Sequence, residues 1–288
     1  MAVWNLGSIN TDIVYSMPHI PAPGETLASL SRQVFLGGKG ANMSVAVARA
    51  GSHVRHIGAV TADSLWTRDR LMEYGVDTRF IQVVDADPAQ AIVMVDAEGE
   101  NAIVLHQGAN IAIPNDLIRR SLSEAQVGDW IVTQNETNGQ ADALALGREM
   151  GLRVAYAAAP FSAEAVQAVL PYLDFLILNE IEMAQLRDAL SKDAEELGVA
   201  SVIITMGSKG AVLIEGGTRT EFPAIKVDPV DTTGAGDTFT GYVLAGLDRG
   251  MPMAQAIQQA TKAGALMVTR KGTADVIPDL AEVQAFRP

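Results

Sequence analysis

The sequence predicts an α/β fold: a three-layer α/β/α, Rossmann-like core around a mostly parallel sheet, with a small β-sheet lid. Three observations point there. From about residue 129 onward, short apolar strands alternate with helical stretches of about ten to fifteen residues, the pattern of a parallel sheet covered on both faces. The strands of that half end on polar or glycine-bearing turns, where open α/β sheets place their ligands. Earlier in the chain, two β-rich patches, roughly 12–36 and 89–106, interrupt the alternation. They read as one small sheet inserted beside the core, within a single domain spanning 1–288.

A first strand is expected over Val3–Ile9, followed by polar Asn10-Thr11-Asp12 and apolar Ile13-Val14-Tyr15. Pro18, Pro21, Pro23 and Gly24 break the next stretch, and 27–35 reads as a partly exposed strand. The first helix begins after Gly37-Gly38 and runs to Arg49, with Ala41, Val45 and Ala48 at helical spacing. A strand over 54–59 and a helix over 64–74 follow. Extended pieces at 78–84, 89–95 and 101–105 come next, the last two joined by Asp96-Ala97-Glu98-Gly99-Glu100, a hairpin by composition. The second half offers strands at 130–133, 153–157, 175–178, 202–205, 211–214 and 219–222. Its helices are expected at 139–150, 163–170, 180–190, 192–197, 237–249, 253–267 and 280–286.

The chain has 21 Lys and Arg against 34 Asp and Glu, a net charge of −13, and no cysteine. That field opposes nucleic acid and anionic membranes as partners. Disulfides, thiolate catalysis and Cys-ligated metals are excluded. The N-terminus shows no secretory signal pattern and no apolar run approaches a membrane span, so a cytoplasmic location is expected. His53 and His56 sit three apart beside a strand, where such residues face opposite ways; both read as structural or surface residues.

The richest segment is Asp231-Thr232-Thr233-Gly234-Ala235-Gly236-Asp237-Thr238-Phe239. A polar, glycine-rich turn enters an apolar helix, so backbone N–H groups at Gly234, Ala235 and Gly236 can form an anion hole. Asp237 is either an N-cap that stabilises the helix or a general base for a hydroxyl. Gly37-Gly38-Lys39-Gly40-Ala41-Asn42 is a second glycine-bearing helix start, offering a cation and an amide. Neither segment is a Walker A loop, and Gly7-Ser8-Ile9-Asn10 lacks a dinucleotide fingerprint. Asn135-Glu136 and Asn179-Glu180 with Glu182 close two strands, as helix caps or as ligand contacts. Asp12 and Asn42 suit adjacent hydroxyls of a polyol. Thr205-Met206-Gly207-Ser208-Lys209-Gly210-Ala211 is a plain β-turn or a nucleotide contact, and helix termination alone accounts for Arg270-Lys271-Gly272.

In order and spacing these segments resemble the ribokinase-like, or PfkB, family of carbohydrate kinases. The likeness runs from Leu6-Gly7-Ser8-Ile9-Asn10-Thr11-Asp12 through Pro23-Gly24-Glu25-Thr26, Gly37–Asn42, Gly108-Ala109-Asn110, Asn179-Glu180-Ile181-Glu182 and Asp231–Phe239 to Arg270-Lys271-Gly272. The resemblance implies ATP-dependent phosphorylation of a sugar's primary hydroxyl, D-ribose to ribose 5-phosphate foremost. Kinases for fructose, 2-keto-3-deoxygluconate or a nucleoside stand as alternatives, and a non-catalytic carbohydrate-binding protein as the contrasting class. It makes Asp237 the base and Gly234, Ala235 and Gly236 the anion hole. Asn10, Asp12, Gly38, Lys39, Asn42 and Glu136 would hold the sugar. Asn179, Thr205, Gly207, Ser208 and Lys209 would hold the nucleotide, with Glu182 linked to Mg²⁺ through water. Asp231 and the Thr233 carbonyl would belong to a K⁺ site whose remainder lies around 268–272. A homodimer through the lid sheets is implied as well. The sequence departs from the family pattern at Ala157-Ala158-Ala159-Pro160, at Thr261 and in a shortened segment after Asn179-Glu180.

Overall fold

The computed structural model describes residues 1–287. Strands β1 (Val3–Leu6), β4 (Val54–Val60), β5 (Asp77–Val83), β8 (Trp130–Gln134), β9 (Arg153–Ala157), β10 (Phe175–Asn179), β11 (Ser201–Thr205), β12 (Gly210–Glu215) and β13 (Thr218–Pro223) form one nine-stranded sheet, ordered β13-β12-β11-β10-β9-β8-β1-β4-β5. The strands from β11 across to β5 pair in parallel, and the β11–β12–β13 edge is antiparallel. A separate four-stranded sheet, ordered β3-β2-β6-β7, is made by β2 (Asn10–Ser16), β3 (Ser31–Gly37), β6 (Gln90–Val95) and β7 (Asn101–His106). Its central β2–β6 pair is parallel and both outer pairs are antiparallel.

Alternation along the central strands shows why three layers form. Trp130 and Val132 of β8, with Ala155 of β9, enter one apolar layer, whereas Ile131, Val154 and Tyr156 enter the other. Successive side chains of a strand point to opposite faces, so a strand buried on both needs a continuous apolar run. Helices α1 (Lys39–Arg49), α7 (Ala235–Asp248) and α8 (Met253–Val268) cover the first face through Val45, Val243 and Ile257. Helices α3 (Asn115–Leu122), α4 (Gln140–Glu149), α5 (Ala163–Val169) and α6 (Glu180–Leu190) cover the second through Leu117, Leu144, Val166 and Leu186. Two further helices, Leu65–Glu73 and Leu280–Ala285, add Leu71 and Val283 to the first layer. No helix among the described residues is long and apolar enough to cross a membrane.

Four expectations need correction. The strand expected over Val3–Ile9 stops at Leu6, because Gly7 runs into the start of α1 and the chain then leaves for the small sheet at Asn10. The strand expected from Leu27 begins at Ser31. Residues 192–197 hold one 3₁₀ turn, Ala194–Glu196, closed by a capping box between Asp193 and Glu196; six residues capped at the front do not repay α-helix nucleation. The helix expected from Asp237 starts at Ala235, so Gly234 is the N-cap and Asp237 lies in the first turn. His56 is buried, bonded to Ser44 and to the Gly7 carbonyl, and His53 is exposed.

Candidate active site

The strand order reverses around β1, which has β4 on one side and β8 on the other. Parallel sheets open a crevice at the carboxyl end of such a point. Into it enter the turn after β1, the N-terminus of α1 and the segment after β8. Their backbones touch: a Cβ on Gly40 would lie 2.4 Å from the Ser8 nitrogen and 2.5 Å from Gly7. A buried amide relay fastens this crossing. Asn5 Nδ2 donates to the Gly40 carbonyl and to Ser44 Oγ, each at 2.8 Å, and Gln134 Nε2 donates to Asn5 Oδ1 at 2.9 Å.

The crossing brings together the residues that the sequence assigned to a sugar. The backbone N–H of Lys39 donates to Glu136 Oε2 at 3.2 Å, and Ser8 Oγ bonds the same oxygen. Asn42 Nδ2 donates to Asp237 Oδ2 at 3.0 Å, joining the starts of α1 and α7. Asp12 projects from β2 over Gly37 of β3, where any Cβ would collide with its carboxylate. Asp12 Oδ1 and Asn42 Oδ1 are buried without a hydrogen-bond partner. Buried acceptors are costly unless something donates to them, and a polyol carries the needed O–H groups. Gly38, the N-cap of α1 at φ 95°, turns the chain so that Lys39 faces the same crevice.

Electrostatics bind the cluster further. Burial pushes the Asp12 carboxyl up to about 7, with Glu136 and Asp237 adding to the rise and Lys39 opposing it. Asp237 is pushed up to about 6, chiefly by burial; Lys39 and the Asn42 hydrogen bond hold it lower than burial alone would. The Lys39 ammonium is favoured most by Asp237, then by Glu136, Glu182 and Asp12, against its own burial. A carboxylate tuned near neutral pH, with one oxygen held and the other free, can take a proton from a hydroxyl.

Asp237 is therefore not the N-cap; Gly234 is, with φ 77°, and no side chain caps α7. The Ala235 N–H donates to the Thr232 carbonyl at 3.2 Å, the Gly234 and Gly236 N–H groups have no partner among the described residues, and a Cβ on Gly236 would meet nothing within 4 Å. Free N–H groups, a positive helix end and open space suit an oxyanion. Behind this turn, Asp231 accepts from Thr233 N at 2.9 Å and from Gly272 N at 3.2 Å, and the Val268 carbonyl accepts from Val230 N and Asp231 N. The 268–272 segment thus stands beside Asp231. Each Asp231 oxygen keeps a lone pair next to the carbonyl end of α8, a donor set that fits a monovalent cation.

The residues assigned to a nucleotide line the carboxyl edge two strands along. Asn179 and Thr205 are register partners on β10 and β11. Asn179 Oδ1 caps α6 by accepting from Ile181 N and Glu182 N, and Glu182 Oε2 accepts from Asn179 N at 2.7 Å. The cap is therefore real, and it leaves Asn179 Nδ2 and Glu182 Oε1 for other partners. Burial raises the Glu182 carboxyl, while the Asn179 N–H and Lys39 oppose that rise. Gly207 faces open space, and Ser208 is exposed. Lys209 is tied to Glu180 at 3.0 Å. No three acidic or imidazole groups converge as a metal cage among the described residues. The donor set at Glu182 fits a hydrated divalent ion held mainly by phosphate oxygens.

Sequence reasoning passed over the supporting polar residues. Asn110, in the turn after β7, accepts from Ile9 N at 2.9 Å and donates to Asn10 Oδ1 at 2.7 Å. Ser8, Asn5 and Gln134 sit under the crevice in the same way. Gly108-Ala109-Asn110 stood out as a motif, yet nothing in it said which amide Asn110 would meet.

This arrangement has known counterparts. The family model for "pfkB family carbohydrate kinase" matches residues 3–280. A ribokinase of Haemophilus influenzae is 32% identical over 98% of this chain and 96% of its own length. A deoxyribokinase of Salmonella typhi is 29% identical over 98% and 97%. The crystal structure of a ribokinase of Cryptococcus neoformans in complex with ADP superimposes with a TM-score of 0.86 at 31% identity, covering 98% of both chains. A family model spanning nearly the whole chain, over a fold that assembles its motif segments at one crevice, makes the chain a member of the pfkB family of carbohydrate kinases.

Proposed function

We propose that this protein transfers the γ-phosphoryl group of ATP to the primary hydroxyl of a free, uncharged sugar, D-ribose foremost and 2-deoxyribose next. The observation that carries the reading is the position of Asp237. It stands in the first turn of α7, with Oδ2 held by Asn42 and open space over the Gly236 backbone beside it. Asp237 takes the proton of the hydroxyl, whose oxygen attacks the γ-phosphorus as the bond to ADP breaks. The N–H groups of Gly234 and Gly236, with that of Ala235 once it leaves the Thr232 carbonyl, hold the charge that gathers on the phosphoryl oxygens. Asn10, Asp12, Lys39, Asn42 and Glu136 hold the sugar. Asn179, Thr205, Gly207, Ser208 and Lys209 line the nucleotide's path. Mg²⁺, reached through water from Glu182, and K⁺, beside Asp231 and Thr233, would neutralise phosphate charge.

Charge narrows the acceptor. Asp12, Glu136, Glu182 and Asp237 surround a single Lys39. A sugar acid or a phosphosugar entering there adds like charge where no further cation waits. The names of the Haemophilus and Salmonella relatives favour ribose and deoxyribose over larger acceptors.

The small sheet acts in this reading as a lid that excludes water from the transfer. Its residues Val34, Ile103, Val104 and Leu105, with Leu30 just before β3, are exposed, and a second copy of the chain is the partner that would cover them. Sedimentation at micromolar concentration tests that dimer, and Val104→Glu should give a monomer. A cytoplasmic location accompanies the use of ATP. The central test is ADP release from Mg-ATP with K⁺ across ribose, deoxyribose, fructose, 2-keto-3-deoxygluconate, adenosine and fructose 6-phosphate. Selective turnover of a neutral pentose is expected. Preference for an anionic acceptor, or sugar binding without turnover, would sink the proposal.

A further inference from the structure

We propose that Asn110 is a positioning residue that dictates which way the Asn10 amide faces. With Ser8 acting likewise on Glu136, it makes this wall of the crevice the reader of one sugar hydroxyl. The inference rests on the sugar-kinase reading above.

Two relays start from backbone N–H groups, which can only donate. The N–H of Ile9 donates to Asn110 at 2.9 Å, so the Asn110 oxygen faces Ile9 and its Nδ2 faces Asn10. That Nδ2 donates to Asn10 across 2.7 Å, so Asn10 must present Oδ1 to it. Asn10 Nδ2 is then the group left for the crevice. Asn110 and Asn10 are 2% and 6% exposed, so water offers little alternative to this order.

The second relay has the opposite ending. The N–H of Gly40 donates to Ser8 Oγ at 3.2 Å, and the Ser8 hydroxyl, with one proton to give, bonds Glu136 Oε2. The Lys39 N–H donates to the same oxygen at 3.2 Å. Glu136 Oε2 is thus occupied and Oε1 is left free as an acceptor.

Asn10 and Glu136 line one cleft of about 40 Å³, with Asn110, His106 and Pro160 beside them and one side open to solvent. The space is small, enough for a hydroxyl with a water or two. One wall donates and the other accepts. A hydroxyl can do both at once; a bare methylene can do neither, and an ionised acid can only accept. A site built this way discriminates strongly against an analogue that lacks the group. Asn110 follows directly on β7 of the small sheet, so the donor is set by the element that would close over the sugar.

The test uses the full chain with Asn110→Asp and Asn110→Leu. Sugar and MgADP binding are measured by calorimetry and kcat and KM by ADP release, for ribose and each of its monodeoxy forms. Asn110→Asp keeps an acceptor for Ile9 N–H but turns a carboxylate oxygen toward Asn10. The Asn10 amide then rotates and presents Oδ1 to the cavity, leaving two acceptors for one proton. Ribose affinity should fall about 10- to 100-fold, with KM rising in step, kcat little changed and MgADP affinity intact. Asn110→Leu frees Asn10 without turning it and leaves the Ile9 N–H without its acceptor; it should lose some stability but less ribose affinity than Asn110→Asp. The penalty should vanish for the one monodeoxy sugar that lacks the hydroxyl being read. Unchanged ribose affinity in a variant that still binds MgADP would overturn the proposal. An equal penalty for every deoxy sugar would do the same. Wild-type protein that binds MgADP and no sugar would overturn the sugar-kinase reading, and this inference with it.

Discussion

Helix α1 begins on Gly38 at φ 95° and helix α7 on Gly234 at φ 77°, and neither has a side-chain cap. The two starts read alike in sequence, each a glycine-rich turn entering an apolar helix. Space separates them. In α1 a Cβ on Gly40 would sit 2.4 Å from the Ser8 backbone nitrogen, so that glycine exists for protein to pack on protein. In α7 a Cβ on Gly236 would meet nothing within 4 Å, so that glycine keeps ground open for a ligand. The first turn places Lys39 and Asn42, and the second places Asp237 and the unspent N–H groups of Gly234 and Gly236. One glycine motif holds the site together and the other leaves room for the chemistry.

The sharpest break in that contrast is Asp237→Asn. Loss of the base should lower kcat by about 10²- to 10⁴-fold with nucleotide affinity retained, measured in single-turnover assays; a smaller loss would leave α7 as anion hole alone. Gly40→Ala should act on the other start. Forcing backbone apart there costs about 3 kcal/mol, read in denaturant titration, and sugar and nucleotide sites should weaken together. Gly236→Ala should separate the two roles. Its stability should stay within about 1 kcal/mol of wild type, since alanine suits a helix better than glycine. Its kcat should drop about 10²-fold as the methyl occludes the phosphoryl oxygens. If Gly236→Ala unfolds the protein, the two starts are alike after all.

Acidity gives two finer tests. The proposed transfer needs Asp237 ionised, so kcat/KM should rise with pH through about 6 and then level. Because Lys39 holds that carboxyl down, Lys39→Met should move the rising limb to higher pH in whatever activity remains. Asp12 is raised from 3.8 to about 7 in the fold. Its protonated form therefore supports the folded state at low pH, and that support is lost as pH rises through about 7. Asp12→Asn should melt several degrees above wild type at pH 8 and alongside it near pH 4, by calorimetry. Equal melting at both would mean that the Asp12 charge is solvated without substrate.

Much of the site was legible because its residues are special in composition. Glycine pairs before apolar helices, and polar pairs closing apolar strands, marked Gly38, Lys39, Asn42, Glu136, Asn179 and Asp237 before any contact was known. The turn around Asp96 in the small sheet was legible too, since Asp96 accepts from Glu98 N and Glu100 N, as a short acidic turn should. Less visible was the short reach of the first strand, where a one-residue run-in between Gly7 and Gly40 overrides the apolar pattern through Ile9. Asn110, Ser8 and Gln134 were illegible as supports of the candidate site. A buried amide or hydroxyl has no periodicity, and its partner lies about a hundred residues away, as Asn110 and Asn10 do.

By itself the sequence determined the layers and the order of strands and helices, because alternation and helical spacing are local properties of burial that need no partner. It also determined which residues are chemically able to serve. Tertiary structure alone decided which of them meet. Asp237 lies inside the first turn of α7 and not at its cap, and Asn42, 195 residues earlier, is brought within 3.0 Å of it. Its acidity near pH 6 is set by burial and by charges from three other segments, Lys39, Glu136 and Glu182. Hydrogen bonds and desolvation depend on distance in space, and no spacing along the chain encodes that distance.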